Sequence, residues 1–430
     1  MTYLNQFFWT VATLLLILSG IYYTIKLRFI QFDFKGMIRS LKNDKNNKKG
    51  ISPFETLSLS LAARIGVGSL AGIALGIYKG GIGVVFWIWL SALITIPNSF
   101  VESVLAVIYH EKDGEFYKGG PAYYISKGLG YKKMAFIYAI IISFCYLGGF
   151  LAIQSNTIAV SINDFINIPK YLIGIIIAFI SFIIIYKGLK SITDFTSKLV
   201  PVMGISYLII CLIVIISNID IIPSIFISII KEAFNIKTFG FGMITSMIIG
   251  VQRGIFSSES GIGTGGCASG TSNTDVPSKQ GLIQMIGIYF TIFIVCTATV
   301  IIILTSNIDI NSFVDINGIE IVQYALNYHL GSIANVILLI IIIAFAFSTV
   351  ISGYYYGESN IKYLFNKIND KGLLLLKIMV VLIILYGSIA KPSILWDLVD
   401  IGVALLAIIN IIAIFLLRKD VLIEFKNYRK

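Results

Sequence analysis

The sequence predicts an all-α integral membrane protein of about eleven transmembrane helices, arranged as one leading helix and two groups of five. Of its 430 residues, 57% are hydrophobic and 13% are charged, and the mean hydropathy is +0.89. Soluble domains carry about 25% charged residues, roughly twice this share. The second observation is a series of eleven long apolar segments, and the third is that two of these segments are broken by glycine and hydroxyl residues.

Each apolar segment is long enough to cross a bilayer as a helix. A helix rises about 1.5 Å per residue, so about 20 residues cross a hydrocarbon core of about 30 Å. Several segments are interrupted or carry a charge, which leaves their boundaries approximate. The predicted spans are residues 7–27, 55–79, 83–108, 133–162, 170–187, 199–217, 240–268, 279–305, 333–356, 373–390 and 395–417.

The order of the spans predicts an internal repeat. Residues 1–54 form a leading helix and a basic loop, residues 55–217 and 240–417 form two five-helix groups, and residues 418–430 form a basic tail. Because five is odd, the second group enters the membrane from the opposite face. The predicted 5+5 inverted repeat is an arrangement used for alternating access.

The two broken segments open the two groups of five. The first break lies within residues 61–72 (LAARIGVGSLAG) and the second within residues 256–266 (FSSESGIGTGG). In hydrocarbon an unwound backbone is tolerated only where it is buried in protein or lines a cavity. Paired breaks in corresponding positions therefore predict the binding site of a secondary transporter.

The distribution of positive charge predicts the orientation. With the N-terminus outside, 24 of the 33 Lys and Arg residues fall in cytoplasmic segments and five in external ones. The positive-inside rule therefore places the C-terminus in the cytoplasm. The net charge of +11 is scattered over loops, which fits attraction to lipid headgroups and does not fit a nucleic-acid footprint. We expect a multi-pass protein of a bacterial or archaeal plasma membrane, and the sequence leaves its oligomeric state open.

The sequence argues against an enzyme. The two histidines, His110 and His329, are predicted to lie at opposite membrane faces, so they cannot form one catalytic or metal-binding site. The four cysteines fall within spans, where they predict packing and not a disulfide framework. We expect no organic cofactor.

The breaks are suited to an amino acid zwitterion. A half-helix that begins near Ser69, Leu70 and Ala71 would present free N–H groups and a positive dipole end to a carboxylate. Unpaired carbonyls around residues 255–258 could accept hydrogen bonds from the ammonium group. A second interpretation is structural, because Gly68, Gly72 and Gly76 also have the spacing of a close helix contact.

Adjacent hydroxyls in the ninth span are candidate cation ligands. Ser348 and Thr349, with freed carbonyls near Ala62 and Ile65, could supply the oxygen ligands that Na⁺ needs without a carboxylate. The alternative is that both hydroxyls bond carbonyls of their own helix.

Polar residues within other spans are further candidates. Gln154 and Asn156 point about 200° apart on a helix, so one of them can line a site while the other joins helices, and we favour Gln154 for the site. Arg64 is expected to act structurally, by pairing with Glu259 or capping carbonyls, more than as a substrate ligand. Glu102 and Arg253 are expected to act in gating or packing.

Many short motifs give the chain a family resemblance. They are Phe86-Trp87, residues 119–130 (GGPAYYISKGLG), Gln154-Ser155-Asn156, residues 253–257 (RGIFS), 280–285 (QGLIQM), 296–299 (CTAT), 347–349 (FST) and 354–358 (YYYGE). With these motifs in this order, the chain resembles the alanine or glycine:cation symporters of the amino acid–polyamine–organocation superfamily. The resemblance implies a leucine-transporter-type fold with an extra helix, which agrees with the span count.

The departures from the family pattern cluster at the breaks. Gly66-Val67-Gly68-Ser69 replaces the usual Gly-Thr-Gly-Asn, and residues 256–261 (FSSESG) replace Phe-Ser-Asn-Glu-Ala-Gly. Gly353 stands where a Trp is common, and Thr291 where an Asp is common. The smaller residues predict room for a substrate larger than alanine, of about glutamine size.

The residues and the resemblance together predict the site and the function. We expect a secondary active transporter that imports a small neutral amino acid with Na⁺; proton coupling is the alternative, and an ion channel is a weaker one. The predicted substrate ligands are Gly66, Gly68, Ser69, Leu70, Gln154, Phe256, Ser257, Ser258, Gly261 and Gly353, and the predicted cation ligands are Ala62, Ile65, Ser348 and Thr349.

Overall fold

The computed structural model describes residues 2–42, 50–234, 241–308, 318–366, 368–390 and 393–429. Helices form nearly all of this part of the chain. The leading segment contains helix α1 (Thr2–Lys26), a 3₁₀ turn (Ile30–Phe32) and helix α2 (Phe34–Ser40).

The first half of the chain begins with a capped half-helix. Pro53 occupies the first turn of this helix, and Ser52 and Glu55 form a reciprocal capping box that satisfies its first amides. The elements are α3 (Pro53–Arg64), a 3₁₀ turn (Val67–Ser69), α4 (Ala71–Gly80), α5 (Val84–Ile108), strands β1 (Glu111–Asp113) and β2 (Phe116–Lys118), α6 (Pro121–Gly128), α7 (Lys132–Ser143), α8 (Leu151–Ile166), α9 (Lys170–Tyr186), α10 (Leu189–Ser217) and α11 (Ile222–Ala233). The strands pair as an antiparallel hairpin with Lys112 opposite Tyr117.

The second half begins with helix α12, which ends at the second break and is followed by the short helix α13. Its elements are α12 (Phe241–Ser258), α13 (Thr264–Ser269), α14 (Pro277–Ile288), α15 (Thr297–Leu304), α16 (Gly318–Leu330), α17 (Ile333–Leu364), α18 (Asp370–Ile389), α19 (Ser393–Leu416) and α20 (Arg418–Tyr428).

Two long helices contain a π-helical turn that the sequence did not predict. Residues Phe144–Phe150 join α7 to α8, and residues Tyr289–Cys296 join α14 to α15. Such turns are rare, and they are found frequently at functional sites. The first of them carries Tyr146, which contacts the second break.

The structure supports a membrane bundle but does not fix the number of spans. Within the described residues, eight helices are long and apolar enough to cross a membrane, and α3 with α4 forms a ninth span that is bent by 64°. The predicted spans 170–187 and 240–268 correspond to the shorter α9 and to α12 with α13. The total of eleven, and the division into two five-helix groups, remain predictions.

The segments around both breaks are buried inside the bundle. Helix α5 packs against α12, α13 and α14, while α17 packs against α3, α7 and α8. Helices α9, α10 and α18 expose large apolar side chains such as Ile176, Ile216 and Leu382. We expect these three helices to face lipid, because an exposed apolar surface is stable there and the interrupted backbone is not.

Candidate substrate and cation site

The first break lies between Arg64 and Ala71. Helix α3 ends at Arg64, Gly66 is extended, and Val67–Ser69 form a single 3₁₀ turn before α4 begins. The Ser69 hydroxyl donates to the Gly66 carbonyl at 2.8 Å. A short polar side chain thus stabilises the turn locally, which is the reason hydroxyl residues favour helix interruptions.

Free backbone donors occur slightly earlier in the break than the sequence predicted. The Ser69 and Leu70 amides donate to the carbonyls of Gly66 and Val67 within the turn. Among the described residues, no acceptor is found for the amides of residues 66–68. These three N–H groups, together with the N-terminal end of α4, are therefore the donors available to an anion.

Gln154 and Thr349 converge on Gly66. A Cβ atom built on Gly66 would lie 2.6 Å from Thr349 Oγ1 and 3.3 Å from Gln154 Nε2, so only glycine fits between them. The Gln154 carbonyl oxygen is buried and has no partner in the described part of the chain. In contrast, the Asn156 amide donates to the carbonyls of Gly387 and Ala390 and joins α8 to α18. The two side chains therefore point in different directions, as their spacing predicted.

Three of the four predicted cation ligands meet at the end of α3. The hydroxyls of Ser348 and Thr349 donate to the Ala62 carbonyl at 3.3 and 3.0 Å. Both hydroxyls also contact the Phe345 carbonyl of their own helix, at 2.9 and 3.0 Å. The two hydroxyls thus bond a carbonyl of their own helix, as the structural alternative predicted, and they also lie with the Ala62 carbonyl in a group of oxygens that could bind a cation. Ile65 directly follows this helix end, and the Ile65 amide donates to the Leu61 carbonyl at 2.7 Å.

The second break lies between Ser258 and Thr264. Its backbone adopts left-handed conformations at Glu259, Gly261 and Gly263, with φ of 54°, 82° and 100°. Glycine accommodates such angles without steric cost, whereas Glu259 must be held in place by its surroundings.

Side chains from α7, the π-helical turn Phe144–Phe150 and α19, together with Thr264, bond to polar groups of the second break. Tyr146 and Thr264 donate to the two Glu259 oxygens at 2.5 and 2.9 Å. Tyr138 donates to the Ile262 carbonyl at 2.7 Å, and the Asn410 amide donates to the Gly261 carbonyl at 2.9 Å. Glu259 and the carbonyls of Gly261 and Ile262 are therefore bonded within the protein.

Phe256 brings the two breaks into contact. A Cβ atom built on Gly68 would lie 3.3 Å from the Phe256 ring. The same ring packs against Phe150 and Trp396, with centroids 5.5 and 6.0 Å away. Ser257 and Ser258 are buried beside it, and the Ser258 hydroxyl accepts from the Ser260 amide at 3.3 Å.

Three predicted groups are not free at the contact between the two breaks: Gly261, Gly353 and the Ile255 carbonyl. Gly261 packs against Leu16 and Ile411. A Cβ atom on Gly353 would lie 3.3 Å from Leu151 and 3.4 Å from Tyr146, so neighbouring side chains already occupy the adjacent space. The expectation that residues 255–258 all offer free carbonyls is wrong for Ile255, whose carbonyl accepts from the Glu259 amide at 2.8 Å because α12 continues to Ser258.

A cavity of about 480 Å³ reaches the first break from the face that carries α16. Val67, Ala71, Asn156 and Trp396 are among the residues that line it. Gly318, the first residue of α16, packs directly on the Ala71 carbonyl, and no side chain would fit there.

The histidines do not form a site together. His110 stacks on Tyr117 beside the hairpin, and burial lowers its pKa. His329 in α16 contacts the Thr305 hydroxyl at 2.9 Å, and burial lowers its pKa as well. The described residues contain no group of three or more His, Cys, Asp or Glu side chains that could hold a metal ion.

Sequence reasoning missed several residues around the breaks. Tyr146, Tyr138 and Asn410 hold the second break, and Thr299 donates to the Ser69 carbonyl at 3.3 Å. Each is a polar residue within an apolar segment, where an unpaired polar group is costly. That signal marks them as needing partners, but it does not identify the partners.

An unwound first helix that a cavity reaches, and an adjacent cluster of hydroxyl and carbonyl oxygens, define a secondary transporter of the broken-helix type. The chain matches the sodium:alanine symporter family over residues 1–430 and belongs to that family. It is therefore one of the sodium-coupled amino acid transporters and not an enzyme.

Two relatives and one solved structure illustrate this membership. The chain is 38% identical to the amino-acid carrier protein AlsT of Bacillus subtilis, over 99% of this chain and 91% of that one. It is also 38% identical to the probable sodium/glutamine symporter GlnT of the same organism, over 99% and 89%. A Na⁺-coupled sialic acid symporter, solved in a substrate-bound outward-open state, shares the fold with a TM-score of 0.51 at 12% identity, covering 96% of this chain and 82% of that chain.

Proposed function

We propose that the protein imports a small neutral amino acid together with Na⁺ by alternating access. The observation that carries this proposal is the convergence at Gly66, where unpaired amides lie beside Gln154 and beside the Thr349 hydroxyl. A carboxylate and a cation can therefore bind on either side of one short stretch of backbone.

The substrate carboxylate binds the amides of residues 66–68 at the positive end of α4. The unpaired Gln154 oxygen accepts a hydrogen bond from the substrate. Phe256 packs against Gly68 and is placed to cover the substrate side chain, with Ser257 and Ser258 beside it. Ser69 and Leu70 complete the turn that holds these amides. Such a pocket neutralises a zwitterion without a fully charged side chain.

Na⁺ binds at the Ala62 carbonyl with the hydroxyls of Ser348 and Thr349 and the carbonyl of Ile65. A bound cation replaces the hydroxyl protons that now point at the Ala62 carbonyl, so it joins α17 to the end of α3. Because Thr349 also contacts the Gly66 position, ion binding fixes the backbone that receives the carboxylate. This shared element couples the two affinities.

The cavity beside α16 is the external entrance. The topology predicted from Lys and Arg places the N-terminus and α16 outside and the C-terminus in the cytoplasm. In this orientation the structure is open outward, with Phe256 and Trp396 between the cavity and the second break.

The substrate is alanine-like, with glutamine as the larger candidate. The family description names alanine, and one 38% identical relative is a probable glutamine symporter. Gly353 gives weaker support for a large substrate than the sequence suggested, because Leu151 and Tyr146 already lie against it.

The test is uptake of labelled alanine into proteoliposomes that contain the purified protein. We expect accumulation under an inward Na⁺ gradient and none when Na⁺ is equal on both sides. A competition panel of glycine, alanine and glutamine then ranks the substrates. Uptake driven by a pH gradient at zero Na⁺ would favour the proton-coupled alternative, and unitary conductance in a planar bilayer would favour a channel. Downhill flux indifferent to every cation gradient would refute the proposal.

A further inference from the structure

Polar atoms without partners surround Gly265, between α3, α5, α13 and α14. A Cβ atom on Gly265 would lie 2.8 Å from Arg64 Nη2, 2.9 Å from Glu102 Oε1 and 3.5 Å from Ser99 Oγ. All three side chains are at least 98% buried, and none of these three atoms has a hydrogen-bond partner among the described residues. Such groups are rare in native structures, and each one calls for an explanation.

The charges in this region do not balance if every group is ionised. Two carboxyl groups, Glu102 and Glu259, and one guanidinium, Arg64, are buried here. Arg64 Nη1 donates to the Gln284 carbonyl at 3.0 Å, and the guanidinium makes no ion pair within 4.0 Å in the described part of the chain. A buried net charge is costly, so one carboxyl group must carry a proton for the cluster to be neutral.

The hydrogen bonds distinguish the two carboxyl groups. Glu259 accepts a hydroxyl donor on each oxygen, which is the environment of a carboxylate. Glu102 accepts the Asn410 amide on Oε2 at 3.0 Å, while Oε1 has no hydrogen-bond partner among the described residues. Oε1 is therefore the carboxyl oxygen of this pair that is left to carry a proton.

Arg64 and Glu259 are the charged groups near Glu102, and the other titratable groups around it are tyrosine hydroxyls and a thiol. Helix α14 presents the Gln284 backbone carbonyl to Arg64, and α19 presents the Asn410 amide to Glu102. The groups that interact electrostatically with Glu102 are Arg64 from α3, Glu259 from the second break, Tyr124 from α6, Tyr138 from α7, Cys267 from α13 and Tyr356 from α17.

We propose that Glu102 is a proton-binding site inside the bundle, occupied in this conformation, with the proton on Oε1, the oxygen that has no hydrogen-bond partner. Loss of the proton to water leaves a carboxylate beside the unpartnered Arg64 Nη2, and the new ion pair draws the end of α3 toward α5 and α13. Arg64 belongs to the half-helix that ends at the first break. The proton is thereby linked to the conformation of the site. This linkage rests on the proposed transport function, whereas the protonation itself does not.

Infrared spectroscopy of the purified protein tests the protonation without any transport. Wild type at neutral pH in Na⁺ should show the carbonyl stretch of a protonated, dry carboxylic acid, which shifts in deuterated water. Glu102→Gln should remove this band, and Glu102→Asp should retain a band at a shifted position. Glu259→Gln and the matched neighbour Ser103→Ala should keep it. A wild-type spectrum without the band, or a band that survives in Glu102→Gln, would overturn the proposal.

The linkage is tested by the pH profile of Na⁺-driven uptake. Wild type should show a rate that changes with pH, and Glu102→Gln should flatten that profile while uptake still requires Na⁺. An unchanged profile in Glu102→Gln would refute the linkage even if the infrared band is present. If Glu102→Gln is inactive, the pH dependence of Na⁺ protection against thermal unfolding gives the same comparison, and equal pH dependence in both proteins counts against the proposal.

Discussion

The two breaks have the same sequence character but differ in how many side chains from other helices bond to them. At the first break, no acceptor is found for the amides of residues 66–68 in the described part of the chain, and the side chains seen to bond its backbone are Ser69 and, from another helix, Thr299. At the second break, Tyr138, Tyr146 and Asn410 reach in from other helices and bond to Glu259 and to the carbonyls of Gly261 and Ile262. The backbone groups of a break can therefore bind a ligand or bond to neighbouring helices. The sequences of residues 66–69 and 258–263 alone do not show which of the two occurs.

This difference predicts separate consequences for mutation. Changes at the first break should alter ligand affinity, because its free groups have no other role. Changes at the second break should alter stability, since its groups are already bonded within the protein.

The largest effect is expected for Gly66→Ala. The added methyl group would lie 2.6 Å from Thr349 Oγ1 and must displace a predicted cation ligand. Overpacking of this kind costs about 1–3 kcal/mol, so Na⁺-driven uptake should fall by about ten- to hundredfold. Gly72→Ala is the matched control, because its nearest neighbour would be Arg253 Cδ at 4.0 Å. Equal activity of the two variants would show that the Gly66 contact has no functional role.

A smaller effect is expected for Thr349→Ala. Loss of one oxygen ligand should raise the Na⁺ concentration for half-maximal uptake by about tenfold, which corresponds to about 1.4 kcal/mol. Ser348→Ala should have a weaker effect, since its hydroxyl lies 3.3 Å from the Ala62 carbonyl compared with 3.0 Å for Thr349.

The control for the cation site is Ser352→Ala, one turn further along α17, whose hydroxyl bonds the Ser348 carbonyl within its own helix. The Na⁺ concentration for half-maximal uptake should be the same in this variant as in the wild type. A Na⁺ dependence that is normal in both Ser348→Ala and Thr349→Ala would place the ion elsewhere.

At the second break, Tyr138→Phe should lower stability and leave binding nearly intact. The variant leaves the buried Ile262 carbonyl without its donor, at a cost of about 1–3 kcal/mol. Thermal unfolding in detergent should occur at a lower temperature, while the KM for alanine changes by less than about twofold, because the hydrogen bond that is lost lies in the second break. Tyr171→Phe on the exposed surface of α9 is the control. A large change in KM with normal stability would make the second break part of the binding site.

The smallest effect is expected for Gly353→Ala. Leu151 and Tyr146 would contact the new methyl group at 3.3 and 3.4 Å, so it fills little space that a substrate could use. The ratio of glutamine to alanine uptake should change by less than about twofold. A clear shift toward alanine would show that the space beside Gly353 belongs to the substrate.

The sequence predicted the helical membrane class and both breaks, because glycine and hydroxyl residues in apolar segments are strong local signals. It also separated Gln154 from Asn156, since that argument needs only helical geometry. It did not predict which side chains bond to the second break, because Tyr138 and Asn410 are more than 100 positions from the carbonyls they bond. It also missed both π-helical turns, which arise from packing and have no residue signature in segments as apolar as 289–296.

The contact between Gly318 and the Ala71 carbonyl has a mechanical consequence. With no side chain between them, the first residue of α16 and the first residue of α4 touch backbone to backbone. If α4 tilts when a ligand binds, α16 should therefore move with it, and α16 is partly exposed at the protein surface. A fluorophore on Tyr324, an exposed position of α16, would report movements of the buried half-helix from outside the bundle.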